Sequence, residues 1–500
     1  MTSVVDVLRN RATERPDHDA IIADQRHVSY GELWNKVVSA ACMLADEGVG
    51  PGDRVLLAAS STPAFAFGYL ATHLVGGIAV PLDPAAPAAR RDELIRRARP
   101  RLSFGTHADS LPELGEVRGI DELEDLPAAS RDFASVPLEG LADLLFTTGT
   151  TGKPKGVCLR HRHLVAAATH INEVIGNVED DVEVVPLPLS HSFGLARLRC
   201  NILAGGTVVL TQGFRLPGEI FAALRQHQAT GLVGVPAGFA VLLRFGKRGL
   251  GPLADRLRYI EIGSAAMPEA HKRQLMELLP HTAIWMHYGL TEASRSTFIE
   301  FHRHRDRLGT IGKPSPRVEI QIRAEDGTVL GAGRRGLLFI RGPQVAEGYW
   351  EDPALTAAAF IQGWLRTGDV AAVSPDGFIT LHGRRDDMIN VGGFNVSPDE
   401  VETVLATHPA VAEAACIGVE DPRQISGRIV RAYLVAAPKA EVPSDKELAS
   451  WVGEQLEPYN VPTEYAWIDA LPKTASGKLV RARLRQQAAS GIRGPTFAED

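Results

Sequence analysis

The chain of 500 residues has no apolar run approaching the ~18–20 residues that cross a bilayer, so no membrane span is expected. It also lacks positive charge: 53 Lys and Arg stand against 60 Asp and Glu, a formal net charge of -7. Nucleic acid and anionic membrane surfaces are bound by basic stripes, so neither is expected as a partner. Cysteine is scarce. Cys42, Cys158, Cys200 and Cys416 are scattered with no CxxC spacing, which argues against a disulfide framework or a thiolate metal site and suits a reducing, cytoplasmic setting. The first residues, Met1-Thr2-Ser3-Val4-Val5-Asp6, lack the charged-then-apolar pattern of a secretion signal. Solenoid repeats and low-complexity tracts are missing too, and the last ten residues are expected to fray.

What is present is the material of a large globular enzyme. The length exceeds what one hydrophobic core supports, so two or more domains are predicted. The first hundred residues alternate helix and strand. Ser29-x-x-Glu32 is a capping box followed by Leu33, Val37, Val38, Ala41 and Leu44 at helical spacing, with Gly48 placed for a left-handed C-cap. Val55 to Ala58 reads as a buried strand, Thr62-Pro63 opens a helix, and Gly77 to Val80 forms the next strand. The rhythm returns with a strand at Thr207–Leu210, a helix at Pro217–Gln226 and a strand at Gly231–Val235. This is the signature of α/β architecture with mostly parallel, helix-flanked sheets. Between Val318 and Ile340 the texture turns to antiparallel β-structure around a Glu-Asp-Gly turn. A compact segment begins past Gly383, where Ser397-Pro398-Asp399-Glu400 caps another helix. A boundary is expected near Arg385-Asp386, dividing residues 1–385 from 386–500.

The most informative stretch is Thr147-Thr148-Gly149-Thr150-Thr151-Gly152-Lys153-Pro154-Lys155-Gly156. Glycines let backbone N–H groups approach an anion, hydroxyls donate to it and lysines neutralise it, a chemistry suited to a polyphosphate. It is no Walker A loop: two residues rather than four separate Gly149 from Gly152, and Pro154 follows Lys153. Tyr288-Gly289-Leu290-Thr291-Glu292 combines a ring that can stack on a base, a hydroxyl for a phosphate and a carboxylate for Mg²⁺. Taken alone, Tyr288-Gly289 reads as a turn before a helix.

In this order, with Thr367-Gly368-Asp369, Gly383-Arg384-Arg385-Asp386-Asp387 and Pro472-Lys473-Thr474-Ala475-Ser476-Gly477-Lys478 following, the sequence resembles the adenylate-forming superfamily. That superfamily comprises acyl- and aryl-CoA synthetases, peptide-synthetase adenylation domains and luciferase. Thr148 stands where its signature loop usually has serine.

The resemblance implies a large N-terminal adenylation domain with a β-rich subdomain, and a small mobile α+β C-terminal domain. It implies that Thr147 to Gly152, Lys153 and Lys155 bind the ATP phosphates. Gly263, Ser264, Ala265, His287, Tyr288 and Gly289 would line the nucleotide, and Thr291 would reach the α-phosphate. Glu292 would hold Mg²⁺, Asp369 the ribose hydroxyls, and Arg384 ribose or phosphate. Asp386 would be the hinge, Lys478 the catalytic lysine bridging carboxylate and α-phosphate, and Gly392 and Gly393 the loop beside the thiol channel. His191, in Pro188-Leu189-Ser190-His191-Ser192-Phe193-Gly194-Leu195, would lie between acid pocket and thiol, with Phe193, Val235, Pro236 and Ala237 lining the acid. No aspartate stands there to pair an α-ammonium, which disfavours an amino-acid substrate.

The expected reaction is ATP-dependent conversion of a small carboxylic acid to acyl-AMP, then transfer to coenzyme A. The alternative acceptor is the phosphopantetheine of an acyl carrier protein or another small nucleophile. The working unit is expected to be a monomer or homodimer. Arg197, Arg199 and Arg295 either meet a polar or second acidic substituent or, the preferred reading, are exposed.

Overall fold

A computed structural model describes residues 2–86, 88–105, 117–148, 154–391, 394–422, 428–474 and 477–489, with backbone alone at 88–90, 148, 386, 394 and 395. Packing divides the chain into two compact units. One comprises Met1–Ile320 with Phe339–Arg366, the other Gln321–Leu338 with Thr367–Asp500. The architecture is mixed α/β.

The first unit contains two large sheets. Nine strands form one, in the order Lys313–Pro314, Ala293–Glu300, Ala283–Leu290, Tyr259–Ile262, Gly231–Gly234, Val182–Val185, Thr207–Leu210, Asp19–Ala23 and Arg26–Ser29. From Ala283–Leu290 through Asp19–Ala23 all neighbours are parallel, and the antiparallel pairs lie at the two edges. The seven-stranded second sheet runs Gly348–Tyr349, Pro154–Arg160, Leu141–Thr148, Ile78–Pro81, Arg54–Ala58, Leu102–Gly105 and Arg118–Gly119.

Local chemistry sets these elements where the sequence places them. The Ser29 hydroxyl accepts from Glu32 N to start Tyr30–Asp46, Gly48 adopts φ 75, and the Thr62 hydroxyl accepts from Phe65 N to start Pro63–Leu74. Every residue of Pro63–Leu74 is buried, as expected of a helix that is apolar on all sides.

The second unit has its own core, built from Ile389, Val396, Val401, Val411, Cys416, Leu434 and Leu448. Its three-stranded sheet consists of Val411–Glu420, Arg428–Ala436 and Glu464–Trp467. Ser397 caps Pro398–Leu405 by accepting from Glu400 N. All four cysteines are reduced and buried. No helix among the described residues is long and apolar enough to cross a membrane. The frayed terminus expected from the sequence lies outside the described residues.

Candidate functional site

Parallel strands end together at one edge, and in open α/β sheets ligands gather at that carboxyl edge. Four neighbouring strands of the nine-stranded sheet deliver candidate residues there. Val185 ends the strand whose following segment brings His191 and Phe193 to the start of helix Ser192–Ala204. Gly231–Gly234 is followed by Val235 and by Pro236 and Ala237 at the head of Pro236–Leu243. Tyr259–Ile262 leads into Gly263, Ser264 and Ala265, with Ser264 at φ 74. Ala283–Leu290 itself ends with His287, Tyr288 and Gly289.

The Tyr-Gly-x-Thr-Glu segment does not precede a helix. Leu290 pairs with Ala293, so Thr291 and Glu292 form the tip of a hairpin returning through Ala293–Glu300. The antiparallel pairing of Ala283–Leu290 with its successor corrects the turn-before-helix reading. The two-residue turn places Thr291 and Glu292 at the end of the hairpin.

The anion loop joins strands Leu141–Thr148 and Pro154–Arg160, which pair from Leu141↔Arg160 to Thr147↔Lys155 and Thr148↔Pro154. Gly149, Thr150, Thr151, Gly152 and Lys153 lie outside the described residues, as does the Thr148 side chain. Thr147 and Lys155 face each other across the ladder. A residue the sequence did not mark then connects this loop to the hairpin. Tyr349 lies on the short strand paired with Pro154–Arg160; its ring sits 5.7 Å from Lys155 Nζ, and its hydroxyl donates to Glu292 Oε1 at 2.8 Å. The Glu292 carbonyl accepts from Ala346 N at 2.8 Å. A cation, a ring and a carboxylate are thus in series within one unit.

The donor chemistry fits Mg²⁺: a half-buried carboxylate with one oxygen held by a phenol suits a hard cation. No cluster of three His, Cys, Asp or Glu forms a cage among the described residues, so phosphate oxygens and water would supply the remaining ligands.

Behind the acid-side residues the arginines depart from the sequence expectation. Arg197 is 0% exposed, and Arg199 and Arg295 are each 3% exposed. Arg197 Nε donates to Glu183 Oε1 at 2.8 Å, Nη2 pairs with the same carboxylate, and Nη1 lies 3.2 Å from Glu261 Oε2. The Tyr259 hydroxyl donates to Glu183 Oε2 at 2.5 Å. Arg295, at φ 46, donates from Nε to Glu261 Oε1 at 3.0 Å and lies 4.4 Å over the Phe193 ring. Arg199 pairs with Asp143 at 2.8 Å, and His73 Nε2 is 2.9 Å from the same carboxylate. A buried carboxylate in an apolar strand requires a cation, and the arginines answer to that requirement rather than to solvent. Burial raises the Glu261 carboxyl, but Arg295 and then Arg197 outweigh it and hold the group well below the carboxylate range.

His287 completes this floor. Its Nδ1 is 2.8 Å from Glu261 Oε1, bent away from ideal hydrogen-bond geometry. Phe193 meets the imidazole edge-on at 4.8 Å and Phe298 at 5.9 Å. Burial lowers the imidazole further than Glu261 raises it, so the ring is neutral near pH 7. A methyl group at Gly263 would fall 2.1 Å from Nε2, so glycine is what admits the ring there. His191, in contrast, keeps half of its side chain exposed, with Nε2 3.7 Å from Asp83.

In the second unit two motifs meet on one ladder. Asp369 pairs in register with Arg384, whose Nε lies 3.3 Å from Asp369 Oδ1. Gly368, at φ 80, leaves a methyl-sized gap 3.2 Å from the Arg384 guanidinium. Asp386 lies in the turn Arg385–Asp387 with its side chain outside the described residues, and Gly392 and Gly393 lie outside them too, between the paired strands Ile389–Val391 and Phe394–Val396.

Lys478 is exposed at the end of a tight turn: its N–H donates to Thr474 Oγ1 at 3.1 Å, its carbonyl accepts from Thr474 N at 2.8 Å, and Gly477 takes φ 78. Helix Arg481–Ala489 follows at once, and Arg481 bonds Asp399 at 2.5 Å and Glu402 at 2.7 Å. Arg485 reaches Asp387 at 2.5 Å.

Comparison with known proteins agrees with this layout. The AMP-binding enzyme profile matches residues 8–350, and that of the AMP-binding enzyme C-terminal domain matches residues 400–478. A feruloyl-CoA synthase of Amycolatopsis sp is 31% identical over 489 residues, 95% of this chain and 97% of the relative. A 2-succinylbenzoate–CoA ligase of Bacillus velezensis is 30% identical over 490 residues, 96% and 97% respectively. The o-succinylbenzoate CoA synthetase of Bacillus subtilis, solved with its acyl-adenylate intermediate, superposes with a TM-score of 0.88 at 30% identity over 96% of this chain and 97% of that one. The same synthetase with ATP and magnesium ion gives a TM-score of 0.87 at 30% identity over 96% and 99%. This chain therefore belongs to the AMP-binding, adenylate-forming enzyme family.

Proposed function

We propose that the chain is an AMP-forming acid–thiol ligase, which activates a small carboxylic acid with ATP and passes the acyl group to coenzyme A. The observation that carries the reading is the series Lys155, Tyr349, Glu292, which ties an anion loop to a carboxylate on the sheet edge where the acid-side residues end. Relatives across nearly the whole chain are CoA ligases, and a neighbour of the same fold carries an acyl-adenylate.

In the first half-reaction a carboxylate oxygen of the acid attacks the α-phosphorus, the bond to the bridging oxygen breaks, and pyrophosphate leaves. The backbone and hydroxyls of Thr147 to Gly152, with Lys153 and Lys155, hold the phosphates, and Thr291 reaches the α-phosphate. Glu292 would hold Mg²⁺, which would supply charge neutralisation and orientation of the phosphates. Gly263, Ser264, Ala265, Tyr288 and Gly289 receive the base, Asp369 the ribose diol, and Arg384 ribose or phosphate. Lys478 bridges the two anions that must meet, and one preorganised donor of this kind contributes about 10²–10³ in rate. Phe193, Val235, Pro236 and Ala237 enclose the acid.

In the second half-reaction the thiol sulfur attacks the acyl carbon, the bond from that carbon to the phosphate oxygen breaks, and AMP leaves. Residues 386–500 pivot at Asp386, exchanging Lys478 for the Gly392-Gly393 loop beside the thiol, with His191 between pocket and thiol. Two constellations that serve one site in turn require such a pivot. The enzyme acts in the cytoplasm as a monomer or homodimer, without nucleic acid.

Acid-dependent exchange of pyrophosphate into ATP tests the first step, and thioester formation with CoA tests the second. Phosphate release without acid would overturn the reading, and product only with carrier protein would change the acceptor. Lys478→Ala is expected to lose about 10²–10³ in adenylation, at least tenfold more than it loses in thioesterification of supplied acyl-AMP. Equal losses in both steps would refute the pivot.

A further inference from the structure

We propose that Asp143 and Arg199 are positioning residues for adenylation: their buried ion pair ties the strand that leads to the anion loop to the helix that carries the acid-side residues, and so sets the distance at which acid and α-phosphorus meet. The inference rests on the ligase reading above and adds to it two residues that line neither half of the site.

The two halves of the proposed site stand on different sheets. His191 and Phe193, at the head of helix Ser192–Ala204, and the hairpin tip Thr291-Glu292 belong to the nine-stranded sheet and its connections, whereas Thr147 and Lys155 belong to the seven-stranded one. In-line attack requires reacting atoms about 3–3.5 Å apart, and a misplacement of about 1 Å costs ~10²-fold in rate. Apolar contact between layers is non-directional and does not by itself fix their register. A bond with one length and one direction does.

Asp143 supplies such a bond. It interrupts the strand Leu141–Thr148 between Ala142 and Leu144, four residues before Thr147. Arg199 reaches it from helix Ser192–Ala204, six residues past Phe193, donating from Nη1 to Asp143 Oδ2 at 2.8 Å and to the Tyr69 hydroxyl at 2.9 Å. The Tyr69 hydroxyl donates in turn to Oδ2 at 3.2 Å, and His73 Nε2 lies 2.9 Å from Oδ1. Burial raises the Asp143 carboxyl, but the bond from His73 and the Arg199 charge outweigh it, so the group stays a carboxylate. All four side chains are withdrawn from water. On the other strand of the anion hairpin, His161 follows Arg160 directly and meets the His73 ring edge-on at 4.9 Å, so both strands are held at their base.

Apolar residues of similar volume would fill this place as stably, because a buried ion pair does not on balance outweigh its own desolvation. What the pair supplies instead is registry. At the site edge the Tyr349–Glu292 bond joins the same two sheets a second time, and two separate ties fix an angle as well as a distance. Along the strand Asp143 stands roughly 13 Å from Thr147, and along the helix Arg199 stands roughly 9 Å from Phe193, so the tie lies behind both half-sites.

The test replaces the pair with apolar side chains, Asp143→Leu together with Arg199→Met, so that no charge is stranded. Wild type and double variant, both full length, are compared in pyrophosphate exchange with benzoic, cinnamic, octanoic and glutaric acids and in denaturant unfolding. Thioester formation is measured from the supplied adenylate of the acid that exchanges fastest. The unfolding midpoint is expected to stay at or above that of the wild type. Both KM values should stay within about threefold, since each half-site is intact, while kcat for adenylation falls about tenfold or more. Thioester formation should change by less than about twofold, because acid and phosphate are already joined in the adenylate. A tie that merely held the fold together would return kcat along with stability. A kcat within about twofold of wild type, a loss carried by KM alone, equal losses in both half-reactions, or a double variant that does not fold would each overturn the inference and leave the ligase reading intact. No exchange by the wild type with any of the acids would overturn both.

Discussion

The proposed acid side and the proposed nucleotide side of the first unit are built in opposite ways. Behind the acid side lie charges withdrawn from water and locked in multiple contacts: Arg197 between Glu183 and Glu261, Arg295 between Glu261 and the Phe193 ring. On the nucleotide side the groups are half-buried: Lys155 lies over the Tyr349 ring, which also meets Phe360 edge-on, and the Tyr349 hydroxyl donates to Glu292. Recognition of an acid requires a wall that does not yield. Handling of a polyphosphate and its cation requires groups that can change partners during the reaction. The difference teaches where stability and turnover each reside.

Acid should have the largest effect, through buried histidines. Burial lowers His161 to about 3, and His163 and His170 to about 4, all on the helix His161–Ile175. These groups are neutral in the fold and take up protons in the unfolded chain below pH 6.5. Stability is therefore full above pH 6.5 and is lost as pH falls toward 4, by up to about 1.4 kcal/mol per pH unit for each imidazole. Denaturant unfolding at pH 7, 5.5 and 4.5 measures the slope, and His161→Gln should reduce it by about one proton. A flat profile would mean that these histidines are solvated.

Removing one anion comes next. Glu261→Ala strands Arg295 in the interior and leaves Arg197 with Glu183 alone, and breaking a buried pair in this way costs about 3–5 kcal/mol. A lowered unfolding midpoint is expected, whereas an unchanged one would show that the arginines find water. The smallest effect belongs to the pliant side. Tyr349→Phe removes one hydrogen bond from Glu292 while keeping the ring, so stability should move by less than about 1 kcal/mol. Adenylation should fall about fivefold with a raised requirement for Mg²⁺, read by titrating the metal in the exchange assay. If Tyr349→Phe instead lowered stability as much as Glu261→Ala, the two sides would not differ in kind.

Much of this was legible because the controlling signals are local. Ser29, Thr62 and Ser397 each bond a backbone N–H three residues on, and Thr207–Leu210 and Pro217–Gln226 form with the limits the pattern predicts. The buried arginines were not legible, since Arg197, on a helix, and Arg295, on a strand, answer to partners 14 and 34 residues away on separate strands. A signal did exist on the anion's side. Glu183 and Glu261 interrupt Val182–Val185 and Tyr259–Ile262, and an acid inside a strand buried on both faces calls for a cation. Tyr349 had no such mark. Its role comes from a two-residue strand whose pairing only the tertiary structure supplies.

The knot around Arg481 has a mechanical consequence. The helix that follows Lys478 is tied by Arg481 to Asp399 and Glu402, and by Arg485 to Asp387, one residue beyond Asp386. The turn that carries Lys478 is thereby anchored, through the helix that follows it, to Asp387, Asp399 and Glu402. Were residues 386–500 to pivot at Asp386 as proposed, that anchorage would carry the backbone of Lys478 along with the segment beside the pivot.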